Sequence, residues 1–191
     1  SKQFLINEGI NKKKIFVTGN TIVDTIKSGL VKQNIKFLSN ELKNKKYGLL
    51  TIHREENTLN GNNLKKILSS VTSIAIKKRF DFIFPIHPKT RKILNKIKMN
   101  YFDFLAYLKN AKLIISDSGG VQEEACILKT PLITVRNSTE RQETLKIGCN
   151  ILCKINNDNL TKKANLILKR KIRWQNPYGS GNASPKILNI L

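Results

Sequence analysis

The stretch IISDSGGVQEEA, Ile114–Ala125, decides the fold. It opens on a short, continuous apolar run, passes through a small polar turn and continues with helical composition. A strand that feeds a helix through such a turn is the unit from which open parallel sheets are built. Ser118 can cap the helix, and Gly119 and Gly120 remove side chains from its first turn. An anion can then approach backbone N–H groups at the positive helix end. A plain capped helix with glycine in a tight turn accounts for the same residues, and the pattern is neither G-x-G-x-x-G nor the Walker loop. Glu123 and Glu124 lie in the first turn, where acids favour the helix dipole. Glu124 is four residues after Gly120 and shares its helix face. A phosphate at the helix end would bring a ribose beside that turn, and a carboxylate can accept hydrogen bonds from both vicinal hydroxyls.

Working outward, apolar runs of strand length recur at 14–19 (KIFVTG), 47–53 (YGLLTIH), 80–87 (FDFIFPIH), 112–117, 131–135 (PLITV) and 150–153 (NILC). They are continuous rather than alternating, which suits strands covered on both faces. Helical spacing separates them: Leu64, Ile67, Leu68, Val71, Ile74 and Ala75 form one stripe, and 102–110, 120–128, 139–146 and 158–171 also read as helix. This alternation predicts an α/β protein with a Rossmann-like, doubly wound parallel sheet. The rhythm runs over 15–175. Residues 1–14 and 176–191 fall outside it.

The composition suits a globular chain: 191 residues, 40% hydrophobic and 7% aromatic. No apolar run approaches the roughly 20 residues needed to span a bilayer, and 1–14 lacks the apolar core of a signal peptide. Cys126, Cys149 and Cys153 form no C-x-x-C pair and read as free thiols in a reducing compartment, which points to the cytoplasm. No metal and no cofactor is expected. The net charge is +22, which would suit nucleic acid. However, the 28 Lys, 7 Arg, 25 Ile and 22 Asn follow the bias of AT-rich coding, and the lysines are scattered without a dense block or interleaved aromatics. Neither a nucleic acid nor a membrane is expected as a partner.

Open parallel sheets bind ligands outside the carboxyl ends of their strands, and the remaining candidates lie there. In TIHREENT, 51–58, His53 follows an apolar run and is the side chain best suited to proton transfer near neutral pH; Arg54 could hold phosphate. In PIHPKTR, 85–91, His87 stands between two prolines in a rigid loop. In RNSTERQE, 136–143, Thr139 and Gln142 have capping-box spacing, and Arg141 could pair with phosphate. VTGNTIVD, 17–24, offers a glycine turn and a helix start.

In order, VTGNTIVDTI, HREEN, PIHP, DSGGVQEEA, STERQE and NPYGSGNAS resemble the non-hydrolysing UDP-N-acetylglucosamine 2-epimerases, over nearly the whole chain and in its C-terminal half. The resemblance implies the C-terminal domain of a GT-B-like two-domain fold, with 1–14 as a remnant of the preceding domain or crossover, 15–175 as the UDP-binding domain and 176–191 as a crossover helix. It implies that Ser118, Gly119 and Gly120 hold the UDP diphosphate, that Glu124 holds the ribose, and that Arg141 contacts the ligand near the phosphates. His53 becomes an active-site residue and Phe104 faces the uracil, while Met99 departs from a Gln found in some members. Arg54 and His87 match positions that some bacterial members use for a regulatory UDP-sugar. The implied reaction interconverts UDP-GlcNAc and UDP-ManNAc by elimination and re-addition of UDP. The carboxylates that move the C2 proton belong to a first domain, present in cis or as a separate chain, and the complete enzyme would be a homodimer. A hydrolysing relative and a non-catalytic UDP-sugar-binding remnant or subunit stand as alternatives.

Overall fold

The computed structural model describes residues 2–32, 42, 45–85, 100–155 and 158–191. Its centre is a five-stranded, all-parallel sheet: β1 (Tyr47–Thr51), β2 (Asp81–Ile83), β3 (Leu113–Ser116), β4 (Leu132–Val135) and β5 (Asn150–Cys153), in the order β2-β1-β3-β4-β5. The chain builds outward from β1 to β2, returns to lay β3 on the other side of β1, and builds outward again. The strand order therefore reverses between β1 and β3, and a crevice opens outside their carboxyl ends.

Alternate residues of each strand serve opposite cores, as continuous apolar strands require; the short helices α1 (Lys2–Asn7) and α3 (Glu55–Thr58) contribute no residue to either. Leu50, Ile52, Leu113, Ile115, Ile133 and Val135 pack with Ile67, Val71 and Ile74 of α4 (Gly61–Lys78) and with Leu160, Ala164 and Ile167 of α8 (Leu160–Lys169). Tyr47, Leu49, Ile114 and Leu132 pack on the other face. Their partners are Ile26 of α2 (Thr21–Lys32), Leu105 and Leu108 of α5 (Tyr101–Asn110), and Val121 and Ala125 of α6 (Gly119–Ile127). Each such buried aliphatic side chain contributes on the order of 1.5–3 kcal/mol relative to exposure. The doubly wound α/β architecture is thus as the sequence predicts. Among the described residues no helix is long and apolar enough to cross a membrane.

Two expectations fail. KIFVTG is not a strand: Lys12–Lys14 form a 3-10 turn, and Phe16 and Val17 are 61% and 67% exposed in irregular backbone. An apolar run becomes a strand only where a partner edge exists, and among the described residues no strand pairs with these. The segment 139–146 is helical only as α7 (Gln142–Lys146), whose N-cap is Arg141. The Thr139 hydroxyl is drawn away to Gln122, at 2.7 Å, so it accepts from Arg141 N instead of capping. His87 and Met99 lie outside the described residues.

The first and last motifs meet each other. Gly19, at φ +96°, sits against the chain's closing loop, and a side chain there would press on the Tyr178 carbonyl at 3.2 Å. Asn20 N donates to that same carbonyl at 2.8 Å. The Asp24 carboxylate accepts from Ala183 N at 3.1 Å and Ser184 N at 3.3 Å. It thereby caps α9 (Ala183–Leu188) from another helix, since Asn182 provides no side-chain cap. The glycine of VTGN therefore serves a backbone approach to the chain's own closing loop. Asp24→Ala should lower stability by about 1–2 kcal/mol, the usual loss of an N-cap, read as a reduced urea midpoint at unchanged slope.

Candidate active site

At the crevice, β1 and β3 end side by side, with Thr51 opposite Ser116 in register. The Thr51 hydroxyl donates to Ser116 Oγ at 2.6 Å, and Asp117 N donates to Thr51 O at 3.2 Å. Asp117 is fully buried. Its carboxylate accepts from His53 N at 3.1 Å, Arg54 N at 3.0 Å and Asn57 Nδ2 at 3.0 Å, and His53 Nδ1 lies 3.0 Å from it. Asn57 Nδ2 also donates to Val135 O at 3.2 Å, so the carboxyl ends of β1, β3 and β4 are tied together. A buried carboxylate is tolerated when its lone pairs are filled in this way. Arg54 is held inward as well, through Nε to the Asp117 main-chain carbonyl at 3.1 Å.

Ser118 caps α6, its hydroxyl accepting from Val121 N at 3.5 Å. Gly119 and Gly120 open the helix, where first-turn N–H groups have no intrahelical acceptor. Among the described residues a Cβ on Gly120 would meet nothing within 4 Å beyond its chain neighbours and its own helix, so the backbone is open to approach there. A Cβ on Gly119 would stand 2.6 Å from Glu140 Oε1. The Glu140 carboxylate thus lies against the positive end of α6. Its own backbone N–H and the nearby Arg136 guanidinium, at 2.9 Å, hold its carboxyl below the usual range.

The two adjacent glutamates diverge. Glu123 turns towards Arg141, with Oε1 and Nε 2.6 Å apart. The Arg141 N–H is not aligned on that oxygen, so the contact is ionic rather than a formed hydrogen bond. Burial raises the Glu123 pKa even against the lowering by Arg141 and Asn20. Glu124, 7% exposed, accepts from Tyr101 Oη at 3.0 Å. Burial raises its pKa as well, opposed by the Tyr101 bond and reinforced by Glu123. Burial beside Glu124 in turn raises the Tyr101 phenol. Phe104 stands one turn further along α5, half-buried against the same core.

A buried amide and hydroxyl network holds the Arg141 loop to α6. Gln122 accepts from Thr139 Oγ1 and from Asn150 Nδ2 at 3.1 Å, while its own Nε2 donates to Ser118 O at 3.2 Å. Asn150 also donates to Thr144 Oγ1 at 3.0 Å, and Thr144 Oγ1 donates to Arg141 O at 2.7 Å. Removing one member would leave buried polar atoms unsatisfied, at about 1–3 kcal/mol each. This network fixes where Arg141 enters the site.

His53, Arg54, Ser118, Gly119, Gly120, Glu124 and Arg141 therefore gather around one crevice, with Phe104 on its α5 side. Sequence reading missed Asp117, Tyr101 and Gln122. Asp117 did carry a signal, as the acid between an apolar strand and a capped glycine turn. Among the described residues, no group of three or more His, Cys, Asp or Glu side chains could hold a metal ion.

The family model described as UDP-N-acetylglucosamine 2-epimerase matches residues 1–191. A UDP-N-acetylglucosamine 2-epimerase of Methanococcus maripaludis is 43% identical over 208 residues, covering 98% of this chain and 57% of the relative. One from Methanocaldococcus jannaschii is 42% identical, covering 100% and 58%. The crystal structure of the M. jannaschii UDP-GlcNAc 2-epimerase in complex with UDP-GlcNAc and UDP superposes with a TM-score of 0.86 at 42% identity, covering 99% of this chain and 57% of that one. The Neisseria meningitidis enzyme bound to UDP-GlcNAc gives a TM-score of 0.81 at 28% identity, covering 99% and 58%. The chain spans about half the length of the curated relatives it matches.

Proposed function

The chain belongs to the UDP-N-acetylglucosamine 2-epimerase family, and from that premise we propose that it is the nucleotide-binding C-terminal part of an enzyme interconverting UDP-GlcNAc and UDP-ManNAc. In this reading 15–175 form the UDP-binding domain, 1–14 lead in from a preceding domain, and 176–191 return towards it. The complete enzyme works in the cytoplasm as a homodimer, with its first domain supplied in cis or by a separate chain. The observation that carries the proposal is the gathering of an open glycine turn, a buried ribose-type carboxylate, an arginine and a histidine at the one crevice where the strand order reverses.

The chemistry follows from that arrangement. The UDP diphosphate lies on the backbone N–H groups of Ser118–Gly120 with Arg141 beside it, and Glu124 takes the ribose hydroxyls. Phe104 and Tyr101 wall the nucleoside side. In the first half-reaction the C2 proton is removed, the C1–O bond breaks, and its electron pair leaves with UDP to give a glycal. UDP then adds back as C2 is protonated from the other face. Negative charge grows on the leaving diphosphate, so preorganised donors there stabilise the transition state as well as the ground state. His53, one strand end away, is the side chain fit to exchange a proton near neutral pH. Arg54 belongs to the same wall, and with His87 it is the candidate for a regulatory UDP-sugar contact.

Calorimetry on the chain tests the binding half of this reading. UDP should bind, and uridine, which lacks the diphosphate, should bind at least about tenfold more weakly, the value of one charge-assisted hydrogen bond. Equal affinity for the two would remove the glycine cradle from the site. Product analysis with the first domain supplied tests the rest. UDP-ManNAc with no free ManNAc supports epimerisation; free ManNAc and UDP would assign the hydrolysing reaction.

A further inference from the structure

We propose that Tyr101 is a positioning residue that fixes the plane of the Glu124 carboxylate for a ribose diol, so that the site selects ribonucleotides over 2′-deoxyribonucleotides. The proposal rests on the reading of Glu124 as the ribose-binding side chain. A glutamate carboxylate turns about a terminal torsion with no sharply preferred angle, so its plane is set by what it touches. Among the described residues Glu124 accepts one side-chain hydrogen bond, from Tyr101 Oη to Oε1 at 3.0 Å. A carboxylate has about four acceptor sites, and no described group bonds the second oxygen. Nor is that oxygen sealed in. Among the described residues, the fully buried side-chain polar atoms without a hydrogen bond are Arg141 Nε and Tyr178 Oη. One oxygen is thus tied to the protein, and the other is open to a ligand. Tyr101 is itself held. It is the first residue of α5, whose N-cap Asn100 accepts from Asp103 N at 2.9 Å, and its neighbour Phe102 packs against the core. Burial beside Glu124 raises its phenol, so the proton it donates is kept at neutral pH. With the plane fixed, the carboxylate meets both hydroxyls of a vicinal pair without first being ordered. A 2′-deoxyribose presents only one of them, and a carboxylate that cannot turn loses the other bond outright. A carboxylate free to turn re-aims at the hydroxyl that remains and recovers part of the loss.

Calorimetry of UDP and 2′-deoxy-UDP, on the unsubstituted chain and on Tyr101→Phe, tests this. The substitution removes one hydroxyl from a side chain that is 38% exposed and keeps the ring. The unsubstituted chain should bind UDP at least about tenfold more tightly than 2′-deoxy-UDP, the value of one charge-assisted hydrogen bond. In Tyr101→Phe that ratio should fall below about threefold, chiefly through weaker binding of UDP. A bond that merely ties α5 to α6 would, when lost, weaken both nucleotides alike and leave the ratio unchanged. A ratio that survives Tyr101→Phe therefore overturns the proposal, whatever happens to the melting temperature. A second readout needs no ligand. The Tyr101 bond lowers the Glu124 carboxyl pKa against burial and Glu123, so in Tyr101→Phe the carboxyl should titrate at higher pH. Carbon-13 spectra of the glutamate-labelled chain read this, with Glu124→Gln assigning the signal. Identical titration in the two proteins also overturns the proposal. The two readings fail separately. Absent UDP binding by the unsubstituted chain rejects the UDP site, whereas UDP binding with a ribose preference that Tyr101→Phe keeps rejects the role of Tyr101 alone.

Discussion

Glu124→Gln is expected to weaken UDP binding by at least about tenfold and, at neutral pH, to make the protein more stable. Both effects come from one burial. The carboxylate is 7% exposed, and removal from water raises its pKa; the Tyr101 bond opposes that shift, and Glu123 adds to it. A carboxyl whose pKa is raised on folding binds its proton more tightly in the native state. Its contribution to stability is therefore fully present below the ordinary carboxylate range and is lost as pH rises through the raised value. Glutamine has no charge to desolvate, and its amide oxygen can still accept from Tyr101. The melting temperature of the variant should exceed that of the parent at neutral pH, and the gap should close as the pH is lowered into the acid range. Binding moves the other way. The carboxylate accepts from both ribose hydroxyls, whereas an amide oxygen is a weaker, neutral acceptor beside an NH2 that cannot accept at all. Opposite signs for stability and affinity are what a functional buried charge produces. A variant destabilised at pH 7 with unchanged UDP affinity would make Glu124 a structural residue.

The sheet was legible because its chemistry is local. Runs such as LIIS and LITV are apolar on both faces, and the structure covers both faces with helices. KIFVTG has the same local pattern and a different outcome, because strand formation needs an edge that local sequence does not specify. The glycine turn and its capping serine were legible for the same local reason. Asp117 was not, since its role depends on groups 60 to 64 residues away that arrive only when β1 and β3 pair. The capping-box spacing of Thr139 and Gln142 misled because the helix starts only at Gln142, with the Thr139 hydroxyl donating to Gln122 of another element at 2.7 Å and accepting from Arg141 N ahead of the helix. Tyr101 was hidden in YFDFLAYL among aromatics that serve the core, and only the packing of α5 against α6 selects it as the partner of Glu124. The place of a site at a switch point is a property of chain topology, so motifs at strand ends gain meaning once the strand order is known.

Gly120→Ala separates the cradle from the fold most cleanly, and Gly120→Val should have the larger effect. Among the described residues, and apart from its chain neighbours and its own helix backbone, a Cβ at Gly120 meets no atom within 4 Å, and its φ is not positive, so alanine is accommodated without strain. Replacing glycine by alanine in a helix usually adds about 0.5–1 kcal/mol, through propensity and a less flexible unfolded chain. The variant should therefore melt no lower than the parent. The space the methyl group enters is the approach to the first-turn N–H groups of α6, where the diphosphate is proposed to lie. Pushing the phosphates away weakens charge-assisted hydrogen bonds worth about 1.5–3 kcal/mol each, which corresponds to a loss of roughly 10- to 100-fold in UDP affinity. Uridine, which makes no use of the cradle, should bind the variant and the parent alike. Gly119 cannot serve as this probe, because a side chain there strikes Glu140 at 2.6 Å and any effect would mix a shifted carboxylate with a blocked backbone. If Gly120→Val binds UDP as tightly as the parent, the diphosphate does not sit on this turn, and the site must be rebuilt around Arg141 and Arg54 instead.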